Sequence, residues 1–315
     1  VSNKNNNIER IRKLFALEEF EPLLAFTFKP RFGLATEKFI EISKDVFKSG
    51  FHIVEPDTRK VLLDNEKTSF INFAKNLDNY SLGKHKCSFS LNLSNRLNDI
   101  EEIIEELASR KNSPLVIKID GGLDGLALMK KVKKKNRDSI ITCYPLLKNQ
   151  LKSKIPNKFL NESTVYCGAD IMYPGGRANI YDSARNYEAT EIDGIVDSYR
   201  TYTDYIKSGT FIPTVAGGVK PGQLHVFYEL YGPKVAYFLG GAIALHKKGP
   251  KAGAKLCKDI FEYAANSRKK KSVGEPDDLP CGLMTEIKNN YKKDEYISPK
   301  GFFKKINCSY HHFKY

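Results

Sequence analysis

The chain has 315 residues, 41% hydrophobic and 28% charged, enough to bury a sizeable core and in the usual range for a soluble globular protein. No apolar run approaches the ~20 residues of a membrane span, and the opening VSNKNNNIER has neither a signal-peptide core nor an initiator Met, as in a processed chain or a fragment. Lys and Arg number 51 against 37 Asp and Glu, a net charge of +14. The positive charge is spread out and carries no RNA-reading motif with interleaved aromatics, so neither nucleic acid nor membrane is expected as a partner.

The six cysteines are scattered and form no C-x-x-C pair, which fits reduced thiols in a cytoplasm and argues against zinc. The histidines show no H-E-x-x-H or similar pattern, and a tail pair, His311-His312, reads as surface.

In chain order, IERIRKLFAL (8–17) places Ile8, Ile11, Leu14 and Phe15 on one face and predicts a helix. PLLAFTF predicts a strand running into Lys29-Pro30-Arg31. Thr36 caps the helical TEKFIEISKDVFKSG. FHIVE (51–55) predicts a strand ending in Glu55-Pro56-Asp57-Thr58-Arg59, and KTSFINFAKNL a helix. CSFSLNL (87–93) is the next strand, DIEEIIEELASRK a strongly periodic helix, and PLVIKID (114–120) a strand closing on Asp120-Gly121-Gly122. LDGLALMKKVKKK follows as a helix with cations at its C-terminal end, where they suit the dipole. SIITCYP (139–145) is a strand, 146–167 a helical region interrupted at Pro156, and ADIMYP (169–174) a strand ending in Gly175-Gly176-Arg177.

A polar loop and a helix near 192–208 lead into FIPTVAGGVKPGQLHVFYELYGPKVAYFLGG (211–241), two strands each stopped by a glycine pair, with a helix between. AGAKLCKDIFEYA (252–264) is the last strong helix. Residues 266–315 are rich in Lys and Pro and read as an irregular tail packed on the barrel.

Eight strand–helix units, with strands apolar nearly throughout, predict parallel strands buried on both faces and a closed (β/α)₈ barrel over residues 1–265. Residues just after each strand then converge on one face. Gly217, Gly218, Gly240 and Gly241 end strands 7 and 8, where missing Cβ atoms let backbone N–H groups approach an anion such as phosphate. Arg31 and Arg177 add forked donors and Lys29 a point charge. Lys29 reads equally as an anion anchor and as a proton shuttle with its pKa pushed down among other cations. Glu55 and Asp57, two apart at one strand end, read as Mg²⁺ ligands, as members of an ion network with Lys29, Arg31 or Arg59, or as a general base. Asp120 reads as turn chemistry, and Tyr144 and Tyr173 as packing with satisfied hydroxyls.

The order of these motifs resembles the RuBisCO large-chain superfamily over roughly residues 8–265. ERIRKLFALEEFEPLLAFTFKPRFGLATEKF is similar to its lead-in and K-P-K-x-G-[LV] first strand, and PTVAGGVKPG…YFLGGAIALHKKGPKAGAK to strands seven and eight. FSLNLSNRLNDI, SPLVIKIDGGLDGL and CGADIMYPGGR fall in order between. The G-G-x-x-P-G and A-G-A-K forms are closer to RuBisCO-like proteins than to true carboxylases.

The resemblance implies that Lys29 moves protons during enolisation, that Arg31 stands for the motif's second lysine, and that Gly218, Gly240 and Gly241 hold one substrate phosphate. It also implies an oligomer and a family N-terminal α+β domain that is absent from these residues. The departures are large. Glu55-Pro56-Asp57-Thr58 replaces the K-D-D-E metal motif, so no carbamylated lysine forms there. Tyr144-Pro145 replaces a His-Arg pair, Tyr173 a His, and Ala216 the Ser before the strand-7 glycines; the mobile-loop lysine has no match, with Arg177 nearby. The expectation is enolisation or isomerisation, with decarboxylation as a variant, of a singly phosphorylated sugar-like substrate without CO₂ fixation. The alternative is a degenerate barrel serving as a binding or assembly subunit.

Overall fold

A computed structural model describes residues 6–29, 36–55, 87–94, 98–108, 114–120, 122–144, 155–174, 200–270 and 278–291. The strands are β1 (Leu23–Thr27), β2 (Ile53–Glu55), β3 (Ser88–Asn92), β4 (Val116–Asp120), β5 (Ile140–Tyr144), β6 (Ile171–Met172), β7 (Ile212–Ala216) and β8 (Ala236–Leu239). Each pairs in parallel with its sequence neighbours, and β8 returns to β1 through Leu23↔Ala236 to Phe26↔Leu239, closing the barrel. This is the (β/α)₈ barrel that the strand–helix alternation predicts.

The described helices are α1 (Asn7–Leu14), α2 (Thr36–Lys48), α3 (Ile100–Ala108), α4 (Leu123–Lys135), α5 (Asn157–Tyr166), α6 (Leu224–Tyr231), α7 (Gly241–Ala244), α8 (Pro250–Lys270) and α9 (Cys281–Asn290). Residues 200–208 are also helical. The expected helix KTSFINFAKNL lies outside the described residues. In the outer layer α8 packs on both α2 and α6, so the helix after the last strand meets the helix after the first.

Helix α1 sits under the barrel. Asn6 caps it, its side chain accepting from Glu9 N at 3.2 Å. Ile8, Ile11 and Phe15 form one buried cluster with Ala25, Ile53, Val116, Ile140, Ile171, Ile212 and Ala236 from seven strands. Arg12 anchors the plug. Its buried guanidinium donates to the carbonyls of Glu18, Glu19, Glu21 and Pro233 at 2.5–2.9 Å, satisfying most of the donors such a fork carries.

Two residues farther along those strands the inward column turns mostly polar. Thr27, Glu55, Lys118, Thr142, Tyr173, Thr214 and Phe238 line a cavity at the opposite end. Because side chains alternate with period two along a strand, the same residue column supplies an apolar floor and a mainly polar mouth.

The tail differs from expectation. Helix α8 runs on to Lys270, past the last apolar periodic position at Ala264, with Arg268, Lys269 and Lys270 in its final turn. The described part beyond it is helical rather than irregular: α9 follows Pro280 and docks back on the barrel. The Tyr291 hydroxyl donates to the Ala242 carbonyl, and Lys247 Nζ donates to Asn289 O at 2.7 Å. Among the described tail residues, 278–291 pack on the barrel through this helix.

Cys87, Cys143, Cys167 and Cys257 are buried free thiols and Cys281 an exposed one. No described helix is long and apolar enough to cross a membrane.

Candidate functional site

The C-terminal ends of the strands surround a cavity of about 1120 Å³, at the upper end of the size of small-molecule sites. Of the residues expected to act, Lys29, Glu55, Gly217, Gly218, Gly240 and Gly241 all line it. Arg31, Asp57 and Arg177 lie outside the described residues.

The glycine cup has a definite geometry. Gly217 and Gly218 take φ of +80° and +62°, a left-handed backbone that other residues adopt at a steric cost. A Cβ at Gly217 would meet nothing within 4 Å, so that residue borders open space. Gly240 is constrained by contact instead. A Cβ there would stand 3.1 Å from the Thr27 carbonyl and 3.3 Å from Lys29 Cγ. The Lys29 stem therefore lies directly over the end of β8, and strand pairing explains why: β1 and β8 are neighbours in the closed sheet. The lysine and one half of the cup share a wall.

Glu55 has a partner that sequence reading did not name. Lys118 Nζ, from β4, lies 2.5 Å from Glu55 Oε1, the two side chains being 16% and 7% exposed. An ion network was one of the expected fates of Glu55, with Lys29, Arg31 or Arg59 as the cation; the observed cation is Lys118. Its signal was present in the sequence. In PLVIKID a lysine interrupts an apolar run two residues after Val116, and the period of two turns it to the same face. Register sets Lys118 beside Asn92 of β3 and Thr142 of β5, and Ser90 Oγ lies 3.1 Å from Thr142 Oγ1.

Asn92 and Ser94, at the end of β3, form turn chemistry. Asn92 Oδ1 accepts from Ser94 N and Oγ, and Ser94 Oγ accepts from Asp120 N at 2.9 Å. This ties the ends of β3 and β4 together and sets the start of the Asp120 turn; Asp120 itself is among the residues that line the cavity. Tyr144 and Tyr173 stack with ring centroids 6.0 Å apart and planes 14° apart, and Tyr144 is 45% exposed. They form an aromatic wall rather than interior packing. Behind it Tyr202 is fully buried and donates to Thr214 O at 2.6 Å. Burial, with the neighbouring Tyr173 phenol second, pushes the Tyr202 hydroxyl well above its ordinary range, so it acts as a donor. Lys220, Lys247, Asn290 and Tyr291 complete the rim. The last two come from the end of α9 and just beyond it, in the tail.

The RuBisCO family generally uses Mg²⁺. The described donors do not fit that ion. The Glu55 carboxylate is already engaged by an ammonium at 2.5 Å, and no three His, Cys, Asp or Glu side chains among the described residues are grouped to hold a metal.

No family model matches the chain. It is 22% identical over 303 residues to a ribulose bisphosphate carboxylase of Pyrococcus abyssi, covering 93% of this chain and 68% of that protein. In fold it is similar to the octameric ribulose-1,5-bisphosphate carboxylase/oxygenase of Pyrococcus horikoshii, with a TM-score of 0.66, 17% identity, and 90% and 66% of the two chains covered. It is also similar to a rubisco-like protein from Burkholderia fungorum, with a TM-score of 0.63, 12% identity, and coverage of 89% and 68%. The chain thus spans about two thirds of the length of the relatives it matches. Motif order, sequence likeness and the closed eight-stranded barrel agree in their likeness: the chain is similar to the barrel domain of the RuBisCO family.

Proposed function

We propose that this barrel binds a phosphorylated, sugar-like small molecule and moves a proton beside its carbonyl. The reaction class is enolisation or isomerisation, with decarboxylation as a variant and without CO₂ fixation. The observation that carries the reading is the contact of Lys29 with Gly240. It sets a lysine amine on the wall of a cup whose glycines expose backbone N–H groups to an anion. A phosphate in the cup fixes one end of the substrate, and Lys29 then reaches the carbon next to it.

A single phosphate is favoured over two. Ala216 and Tyr144 line the cavity where the resemblance implies a serine and a histidine. A methyl group and a phenol ring supply less anion-binding capacity than the groups they replace. Gly217, Gly218, Gly240 and Gly241 would bind the phosphate, with Arg31 and Arg177 as further anion ligands. The octameric state of the Pyrococcus horikoshii protein supports a homo-oligomer here, and we place the protein in the cytoplasm.

The test is solvent exchange. A set of keto-sugar monophosphates is incubated with the protein in D₂O and followed by proton NMR. At least one should lose a proton signal next to its carbonyl, and Lys29→Met should abolish the loss while inorganic phosphate still binds. Phosphate binding without exchange would mark the barrel as a degenerate binding subunit. Absence of both would sink the reading.

A further inference from the structure

We propose that Lys118 serves as a built-in cation for Glu55, so that a protein-borne ammonium fills the place where this family would bring a divalent metal against the strand-2 carboxylate. The proposal rests on the likeness to this family and on one ion pair, not on the substrate reading above.

The argument starts from the depth of Glu55. Its side chain is 7% exposed at the top of a three-residue strand buried throughout. A carboxylate in that position needs a countercharge, because an ionised group held away from water is costly unless paired. Two kinds of cation meet that need. One is a bound metal, which demands several oxygen ligands at about 2.1 Å in near-octahedral order. The other is a side chain whose own strand carries it there.

Here the second is in place. Lys118 Nζ is 2.5 Å from Glu55 Oε1, a direct ammonium–carboxylate contact of the charge-assisted kind. A dication on the same oxygen would come within about 5 Å of that ammonium, by adding the two distances, and the two positive charges would repel. The residues that flank Lys118 in register, Asn92 and Thr142, are uncharged. The barrel wall is arranged for one cation at this point, and the chain supplies it.

Lys118 is also placed to matter chemically. It lines the same cavity as Lys29 and the glycine cup. A substrate oxygen gaining negative charge near Glu55 therefore meets an ammonium fixed on β4 rather than an exchangeable ion.

Binding of Mn²⁺, a paramagnetic stand-in for Mg²⁺, tests this by electron paramagnetic resonance on the wild type, Glu55→Gln and Lys118→Met, with no substrate present. The expected result has two parts. Wild type and Glu55→Gln bind Mn²⁺ equally weakly. Lys118→Met, left with an unpaired carboxylate, binds at least tenfold more tightly, and Glu55→Gln added to it removes the gain. If Lys118→Met does not fold, Lys118→Gln replaces it, keeping a hydrogen-bond donor and dropping the charge. The proposal is overturned if the wild type binds Mn²⁺ tenfold more tightly than Glu55→Gln, or if removing the ammonium brings no gain. Neither outcome depends on turnover, so failure here is separate from failure of the substrate reading.

Discussion

Lys133 Nζ lies 2.6 Å from Asp170 Oδ2, joining the last turns of α4 to the start of β6 at the end of the barrel away from the cavity. Asp170 also accepts from Arg10 Nη2 and Asn7 Nδ2 at 2.9 Å and from Ile141 N at 2.8 Å. One buried carboxylate thus ties α1, α4 and β5 together. Burial lowers the Lys133 pKa, with Asp170 acting against it. Asp170→Ala strands two cations, and breaking a buried pair from one side costs roughly 3–5 kcal/mol. Urea unfolding should show a loss of that order, with phosphate binding by the residual folded protein unchanged. A loss under about 1 kcal/mol would show the network to be incidental.

The Glu55–Lys118 pair should behave as a coupled unit. Glu55→Gln removes the carboxylate that Lys118 Nζ contacts and should destabilise the barrel by about 3 kcal/mol. The double variant Glu55→Gln/Lys118→Met should recover most of that loss, since replacing both members of a buried pair is often neutral. A double-mutant cycle in urea reads the coupling directly. Additive single effects would mean that the two side chains do not stabilise each other.

Gly240→Ala tests the shared wall of lysine and cup. Its Cβ would crowd the Thr27 carbonyl at 3.1 Å and the Lys29 stem at 3.3 Å. The strand carbonyl has little freedom to move, so Lys29 must yield. Calorimetric titration with inorganic phosphate should show about a tenfold weaker affinity, roughly 1.4 kcal/mol, with the unfolding midpoint little changed. Unaltered affinity would separate the glycine from the anion site.

His225, buried in α6, has its pKa lowered to about 4 by burial. The unfolded chain takes up this proton near pH 6.5 and the folded chain near 4, so between those values the unfolded state binds more protons. Stability from the neutral imidazole is therefore complete above pH 6.5 and is lost as pH falls toward 4. The shift corresponds to about 3 kcal/mol at 1.36 kcal/mol per pH unit. Unfolding free energies measured across this window should fall less steeply for His225→Gln than for the wild type, and equal slopes would refute the assignment.

The barrel was legible because its strands are buried on both faces, which writes them as short apolar runs separated by amphipathic helices. The glycine pairs after β7 and β8 were legible for the same local reason. The inward position of Lys118 was legible from its place in an apolar run, but its pairing with Glu55 was not, because that depends on β2 and β4 lying on either side of β3 with both side chains turned inward. The partner of Glu55 was sought among cations near it in sequence and at the end of β1, and it came from β4. The end of α8 was placed at Ala264 because the apolar period stops there, but a solvated basic turn extends the helix at no packing cost and suits its dipole. Helix α9 begins with Cys281-Gly282 and buries little of its length, Ile287 and Asn290 being its buried residues; a stripe that narrow does not stand out from a basic, proline-rich background.

Helix α1 has a consequence for how the molecule assembles. Its apolar side is completed by strands all around the ring, from Ala25 of β1 to Ala236 of β8, and Arg12 bonds to the carbonyl of Pro233 at 2.7 Å. Helix α1 precedes every strand it packs on, and therefore has no finished seat until the eighth strand has been made. Contacts of such long sequence separation form late and slowly. Helix α1 acts as a latch that engages only a completed ring, and barrel closure and the docking of this helix become a single cooperative event.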